Sequence, residues 1–269
     1  VSFAYEVLWT RLLGHLLGGS IYAFATMLAG FLSGITIGSA VASRMATTRE
    51  RAIRGFIAAQ IGTGVLAMLN YLAVDSLPGL IGRWSAGSTS PVSQVLLGSV
   101  LAFAVLLPAT LCIGAGFPFA IRILARDESD AARSSAQVYA WNTVGAISGA
   151  LLAGFVLIPE IQFAGTVRVA VTVNLALALA TAIVYGRRRV TAAVVCTGLL
   201  LSLLLFRPDP PENLLRASPY STVPAPGRLI YSAAGKNATV LLLESDGAYD
   251  LRNDGLPEAR IQPKGVPPA

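Results

Sequence analysis

The stretch VSQVLLGSVLAFAVLLPATLCIGAGFPFAI, residues 92–121, contains no Asp, Glu, Lys or Arg. As a helix it would reach about 45 Å at 1.5 Å per residue, well beyond the ~30 Å of hydrocarbon in a bilayer. Four more windows are equally free of charge: residues 20–43, 55–74, 134–159 and 169–186. Each approaches or exceeds the roughly 20 residues that one crossing needs. Over its 269 residues the chain is 54% hydrophobic and only 13% charged, with a mean hydropathy of +0.66. Soluble domains carry roughly 25% charged residues, so the missing charge marks lipid as the solvent. The expected fold class is mainly α, a polytopic helical membrane bundle.

Working outward from that window, seven helices are expected, at about 1–17, 20–44, 53–75, 92–124, 134–158, 163–186 and 190–206, giving six to seven transmembrane crossings. The first is too short to span, and the chain reads as a fragment open at both ends. The fourth carries Pro108, Gly114, Gly116 and Pro118, breakers that lipid tolerates only where neighbouring protein satisfies the freed carbonyls. A kinked or tilted helix is expected there.

The net charge of +6 comes from arginines clustered between windows: Arg44, Arg49, Arg51 and Arg54, then Arg122, Arg126 and Arg133, then Arg187, Arg188 and Arg189. The alternate loops hold little beyond Asp75, Arg83 and Glu160. Positive loops stay cytoplasmic, so loops 44–54, 122–133 and 187–189 are assigned to the cytoplasmic side. The expected location is a bacterial inner membrane, and nucleic acid is not an expected partner. A true seventh crossing would place the C-terminal segment outside.

Beyond Phe206 the texture changes. Residues 207–226 cluster prolines without apolar periodicity and read as a linker. Residues 227–269 read as a small three-strand segment, GRLIYSA, NATVLLLE and AYDLRND, with Asp246-Gly247 supplying a tight hairpin turn. The expected domains are therefore 1–206, 207–226 and 227–269.

Polar residues inside apolar windows are candidate functional groups, because lipid cannot satisfy them. They are Glu6 and Arg11 in the first helix, Gln60 and Asn70 in the third, Gln137 and Asn142 in the fifth and Asn174 in the sixth. Glu6 and Arg11 lie about 140° apart on a helix, so each should find its partner elsewhere. One reading is a polar cleft for a solute, with Glu6, Arg11, Gln60, Gln137 and Asn142 as its candidate site. The other is interhelical glue plus an arginine reaching toward the interface. Gly30, Gly34 and Gly38 form overlapping G-x-x-x-G frames, and Gly145 with Gly149 forms another; these are expected packing faces. Tyr22, Trp84, Tyr139 and Trp141 sit near window ends, where interfacial belts place aromatics. His15, the single histidine, cannot build a metal site alone, and no catalytic or metal-binding motif is evident.

Three runs together, YEVLWTRLLGHLLGGSIYAFATMLAGFLSGITIGS (5–39), LLPATLCIGAGFPFAIRI (106–123) and VYAWNTVGAISGALLAGFVLIP (138–159), resemble the membrane region of bacterial membrane-fused spermidine synthase-like proteins. That region is often likened to half of a major-facilitator transporter. Residues 227–261 are similar to the β-strands that open spermidine synthases, with Leu251, Asn253, Gly255 and Glu258 matching the family's L-x-x-(D/N)-G-x-x-(E/Q) pattern in loosened spacing. The resemblance implies a parent protein that makes polyamines by aminopropyl transfer, using decarboxylated S-adenosylmethionine as cosubstrate. The family's catalytic core lies after this point, so the chain is expected to hold no catalytic residue and no cofactor of its own. That cosubstrate is cytosolic, which conflicts with an outside sheet, so the side of the C-terminal segment stays open. A transporter-like or solute-binding module and a membrane anchor or assembly platform are the alternatives. Expected partners are the bilayer, a polyamine or other small solute, and a second copy of the chain.

Overall fold

A computed structural model describes residues 1–18, 21–85, 91–125, 128–185, 197–200, 207–221 and 223–262. Its elements are α1 (Ser2–Leu17), α2 (Ile21–Met45), α3 (Arg49–Val74), α4 (Leu77–Ser85), α5 (Pro91–Leu124), α6 (Glu128–Leu152), a π-helical turn (Ala153–Leu157), α7 (Ile158–Tyr185), α8 (Glu212–Arg216), β1 (Arg228–Ala234), β2 (Thr239–Ser245), β3 (Ala248–Asn253) and β4 (Leu256–Ile261).

Four helical stretches are long and apolar enough to cross a membrane: Ile21–Met45, Arg49–Val74, Leu96–Leu124 and Asp130–Tyr185. Only 28% to 39% of each apolar window is buried within the chain. Ile37, Leu69, Val100, Ile147 and Val173 are among the side chains that point outward. Apolar surface on that scale belongs against lipid or another chain rather than water.

Four membrane-length stretches stand where six to seven crossings were expected. At 16 residues α1 is too short, and residues 190–206 lie outside the described residues apart from 197–200. The expected helices 134–158 and 163–186 join into one stretch of 56 residues. That stretch bends where the sequence places a break, because Gln162 adopts φ 58 and ψ −176.

Other boundaries also move. Thr48 caps α3, its side chain accepting from the Arg51 N–H at 3.2 Å. The helix therefore starts at Arg49 rather than 53, placing Arg49, Arg51 and Arg54 on its first turns. Similarly, α6 begins at Glu128 rather than 134, which moves Tyr139 and Trp141 inward from the helix end. The short α4 was not anticipated. Nor was α8 inside the proline-rich linker, where Leu214 and Leu215 are buried.

The tightest helix pair is α2 on α5. A Cβ added at Gly34 would strike the Thr110 side chain, one at Gly38 the Leu111 carbonyl, and one at Gly114 the Ile35 backbone. Helix α5 runs unbroken through Pro108 and Pro118. Pro118 has no N–H to offer the carbonyl four residues back, that of Gly114, and the Ser39 hydroxyl donates to it instead at 2.7 Å. Nearby, Asn70 Nδ2 donates to the Val105 carbonyl at 2.6 Å, so this asparagine bridges α3 and α5. Helix α1 sits in the core, with Tyr5, Leu8, Trp9, Leu12 and Leu13 all buried.

The C-terminal sheet is an antiparallel meander in the order β1-β2-β3-β4, four strands where three were expected. Asp246-Gly247 turns β2 into β3 with φ values of 52 and 75. Asp254-Gly255 repeats that conformation, 48 and 80, and turns β3 into β4. Leu241 and Leu243 of β2 point inward and are fully buried. Leu241, Ala234 and α8's Leu214 and Leu215 share one core with the helices. Tyr231, Leu242 and Leu251 pair across the opposite face.

Candidate functional site

The two ends of the bundle differ in chemistry. At one end Arg49 joins three helices, since its Nε donates to the Ile123 carbonyl at 3.0 Å and its guanidinium lies 5.4 Å from the Tyr185 ring centroid. Helix α3 then runs 26 residues, about 39 Å, to Asp75 at the other end. There Asp75 accepts from the Leu214 N–H at 3.0 Å and from Asn213 Nδ2 at 2.8 Å, which holds α8 to the bundle.

The sheet docks at the Asp75 end. Arg11 Nη1 donates to the Gly235 carbonyl at 2.6 Å, and the guanidinium lies 5.7 Å from the Phe163 ring centroid. Gln162, at the bend near the start of α7, accepts from the Ala234 N–H at 2.7 Å and donates to the Pro159 carbonyl at 3.0 Å. A non-glycine residue at positive φ is sterically costly, and here both halves of its carboxamide are engaged. Some polar atoms at this joint have no hydrogen-bond partner among the described residues: Arg11 Nη2, both ring nitrogens of His15, the Thr239 hydroxyl and Asn253 Oδ1. His15 is 1% exposed.

A cavity of about 790 Å³ lies in the half of the bundle nearer the Arg49 end. Helices α1, α3, α5, α6 and α7 all contribute to its wall. Gln60 comes from α3, Gln137 and Asn142 from α6, Asn174 from α7 and Tyr5 from α1. Phe56, Phe117 and Trp141 add aromatic surface. Asn174 Nδ2 donates to the Tyr5 hydroxyl at 3.2 Å, joining two of the walls. Gln60, Gln137 and Asn142 make no hydrogen bond with any described residue. The size lies within the 300–1,000 Å³ typical of small-molecule sites.

The structure thus gathers Gln60, Gln137 and Asn142, three of the five expected site residues, and separates the other two. Arg11 binds the sheet. Glu6 lies outside the cavity lining and forms no ion pair with Arg11 among the described residues. Of the glycine frames, Gly30, Gly34 and Gly38 pack on α5, whereas Gly145 has nothing within 4 Å and Gly149 meets only the start of α1. Of the second frame, Gly149 therefore packs on the backbone of α1, and Gly145 meets no described neighbour. Sequence reasoning missed Tyr5, Phe56 and Phe117, which read as ordinary apolar positions; Phe56 sits one turn before Gln60 on the same face of α3. It also put Trp141 in an interfacial belt rather than in a cavity wall.

Comparison of the chain with family models, with curated proteins and with solved structures finds no match.

Proposed function

We propose that the chain is a polytopic membrane module that binds a small solute in this cavity, with its arginine-rich end cytoplasmic and its sheet on the opposite face. The observation that carries the reading is the meeting of Gln60, Gln137 and Asn142, from two helices, in one cavity without partners among the described residues. Interhelical glue would have spent those hydrogen bonds on neighbouring helices, as Asn70 does. Under this reading α2, α3 and α5 each cross once, and the Asp130–Tyr185 stretch crosses twice, bending at Gln162. Its two limbs are about 48 Å and about 35 Å long. Tyr185 stands beside Arg49, whereas the Asp209 carbonyl accepts from the Tyr71 hydroxyl at 3.5 Å near the other end.

A cysteine at position 60 tests the solute site in a chain whose Cys112 and Cys196 are replaced by Ala. In proteoliposomes it should react with N-ethylmaleimide, and an aqueous or a lipid extract of the host should slow that reaction several-fold. A Lys236→Cys control should be unaffected. If neither extract slows labelling at 60, or if the thiol never reacts, the solute reading is wrong. Sidedness is read in intact cells, where an impermeant maleimide should label Lys236→Cys and spare Arg51→Cys.

A second reading rests on the sheet. Residues 227–261 resemble the strands that open spermidine synthases, and Leu251, Asn253, Gly255 and Glu258 all fall on the β3–β4 hairpin. The outward layer of Tyr231, Leu242 and Leu251 is the kind of face a following domain would cover. On this reading the parent is a membrane-tethered polyamine aminopropyltransferase. A gene without a glycine-rich turn and an acidic catalytic motif beyond residue 269 would eliminate it.

A further inference from the structure

Building on the solute-binding reading, we infer that the cavity takes an uncharged amphiphile: an apolar body bearing carbonyl or hydroxyl groups, admitted from the bilayer along the exposed face of α6. Among the described residues, no Asp, Glu, Lys or Arg side chain lines the cavity. A charged ligand would shed its hydration there and meet no charged side chain among the described residues, an arrangement that proteins avoid unless the charge is paired. A polyamine in particular asks for carboxylates, and Glu6 of α1 is not in the lining.

The groups that do line it are suited to a neutral partner. Each carboxamide of Gln60, Gln137 and Asn142 offers two donors and an acceptor, and none is committed to another described residue. Phe56 and Phe117 supply apolar surface for the body of the ligand. A pocket that is mostly apolar with a few uncommitted polar groups orients a ligand through those groups and gains affinity from the rest.

The position of α6 supplies the route. Trp141, on the cavity rim, is 76% exposed, and Tyr139, Val144 and Ile147 of the same helix are exposed as well. Between Ala136 and Gly145 α6 is exposed at nearly every position. The α6 wall of the cavity is therefore continuous with the exposed face of that helix, Trp141 belonging to both. A solute partitioned in the membrane reaches the carboxamides without crossing a charged vestibule.

The test uses the position-60 cysteine in the chain lacking Cys112 and Cys196, reconstituted in phospholipid nanodiscs. Dioctanoylglycerol serves as the uncharged probe, and spermidine and choline as cationic ones. Dioctanoylglycerol should slow maleimide labelling several-fold and saturably, and the added substitutions Gln137→Leu and Asn142→Leu should restore the unprotected rate. Spermidine and choline should leave the rate unchanged. Protection by either cation but not by dioctanoylglycerol overturns the ligand class and leaves the solute site standing. Protection that survives the two leucines marks simple partitioning and also overturns it. If the host extracts protect position 60 and none of the three probes does, the class is again wrong; if the extracts fail too, the solute reading falls with it.

Discussion

The sheet joint and the cavity are both built from polar side chains set in apolar helices, yet they use them in opposite ways. At the joint, Arg11, Asp75 and Gln162 direct their hydrogen bonds onto the backbone of the sheet and of α8. In the cavity lining, Gln60, Gln137 and Asn142 bond no described residue. A polar group whose partner is the protein's own backbone fixes a geometry. One left without a partner in an apolar setting is costly unless a ligand satisfies it. The same residue types therefore serve attachment at one end and availability at the other.

The comparison breaks most visibly where backbones touch. Gly38→Ala drives a Cβ into the Leu111 carbonyl, and backbone cannot yield as a flexible side chain would. A loss of about 3 kcal/mol is expected, read as a lower midpoint in denaturant titration of the micellar protein. Gly145→Ala, with open space around it, should instead gain about 0.5 kcal/mol from helix propensity. Equal effects at the two glycines would remove the distinction between the closed α2–α5 contact and the open α6.

Arg11→Leu leaves the Gly235 carbonyl unpaired at the joint and should cost about 2 kcal/mol. The expected sign is faster proteolysis within residues 207–262 while the helices stay protected. Coincident proteolysis of helices and sheet would mean that Arg11 supports the whole fold rather than the attachment.

His15 sharpens the contrast, because it lies at the joint with neither ring nitrogen bonded. Phenylalanine there fills a similar volume without the unmet polar atoms, and His15→Phe should stabilise by about 1 kcal/mol. A loss of stability in that variant would show that the imidazole has a partner in the membrane-embedded protein.

The smallest stability effect belongs to the cavity. Gln60→Leu, Gln137→Leu and Asn142→Leu should each shift the unfolding midpoint by the equivalent of about 0.5 kcal/mol or less, since no internal hydrogen bond is lost. Their effect should appear in solute protection of the cavity. A large destabilisation by any one would return that residue to the role of glue.

Much of this architecture was legible in the residues. The charge-free windows mark the long helices, because lipid penalises unpaired charge whatever the tertiary arrangement. The break near 159–162 and the Asp246-Gly247 turn were equally visible, since both are local backbone choices. The second Asp-Gly pair, at 254–255, carried the same signal and was passed over as the end of a strand, which is why four strands replace three. Helix α8 stayed hidden because five residues between prolines show no periodicity; its form depends on Asp75, far away in sequence, binding its N-terminus.

By itself, then, the sequence determined which stretches are long and apolar enough to cross a membrane and where the arginines cluster between them, because those properties follow from composition along a line. Only the tertiary structure decided which polar side chains meet. Gln60 and Asn142 are 82 positions apart, and whether they share a wall depends on how helices pack. Arg11 and Gln60 look alike as polar residues in apolar windows. The packing sends one to a sheet carbonyl and leaves the other facing a cavity.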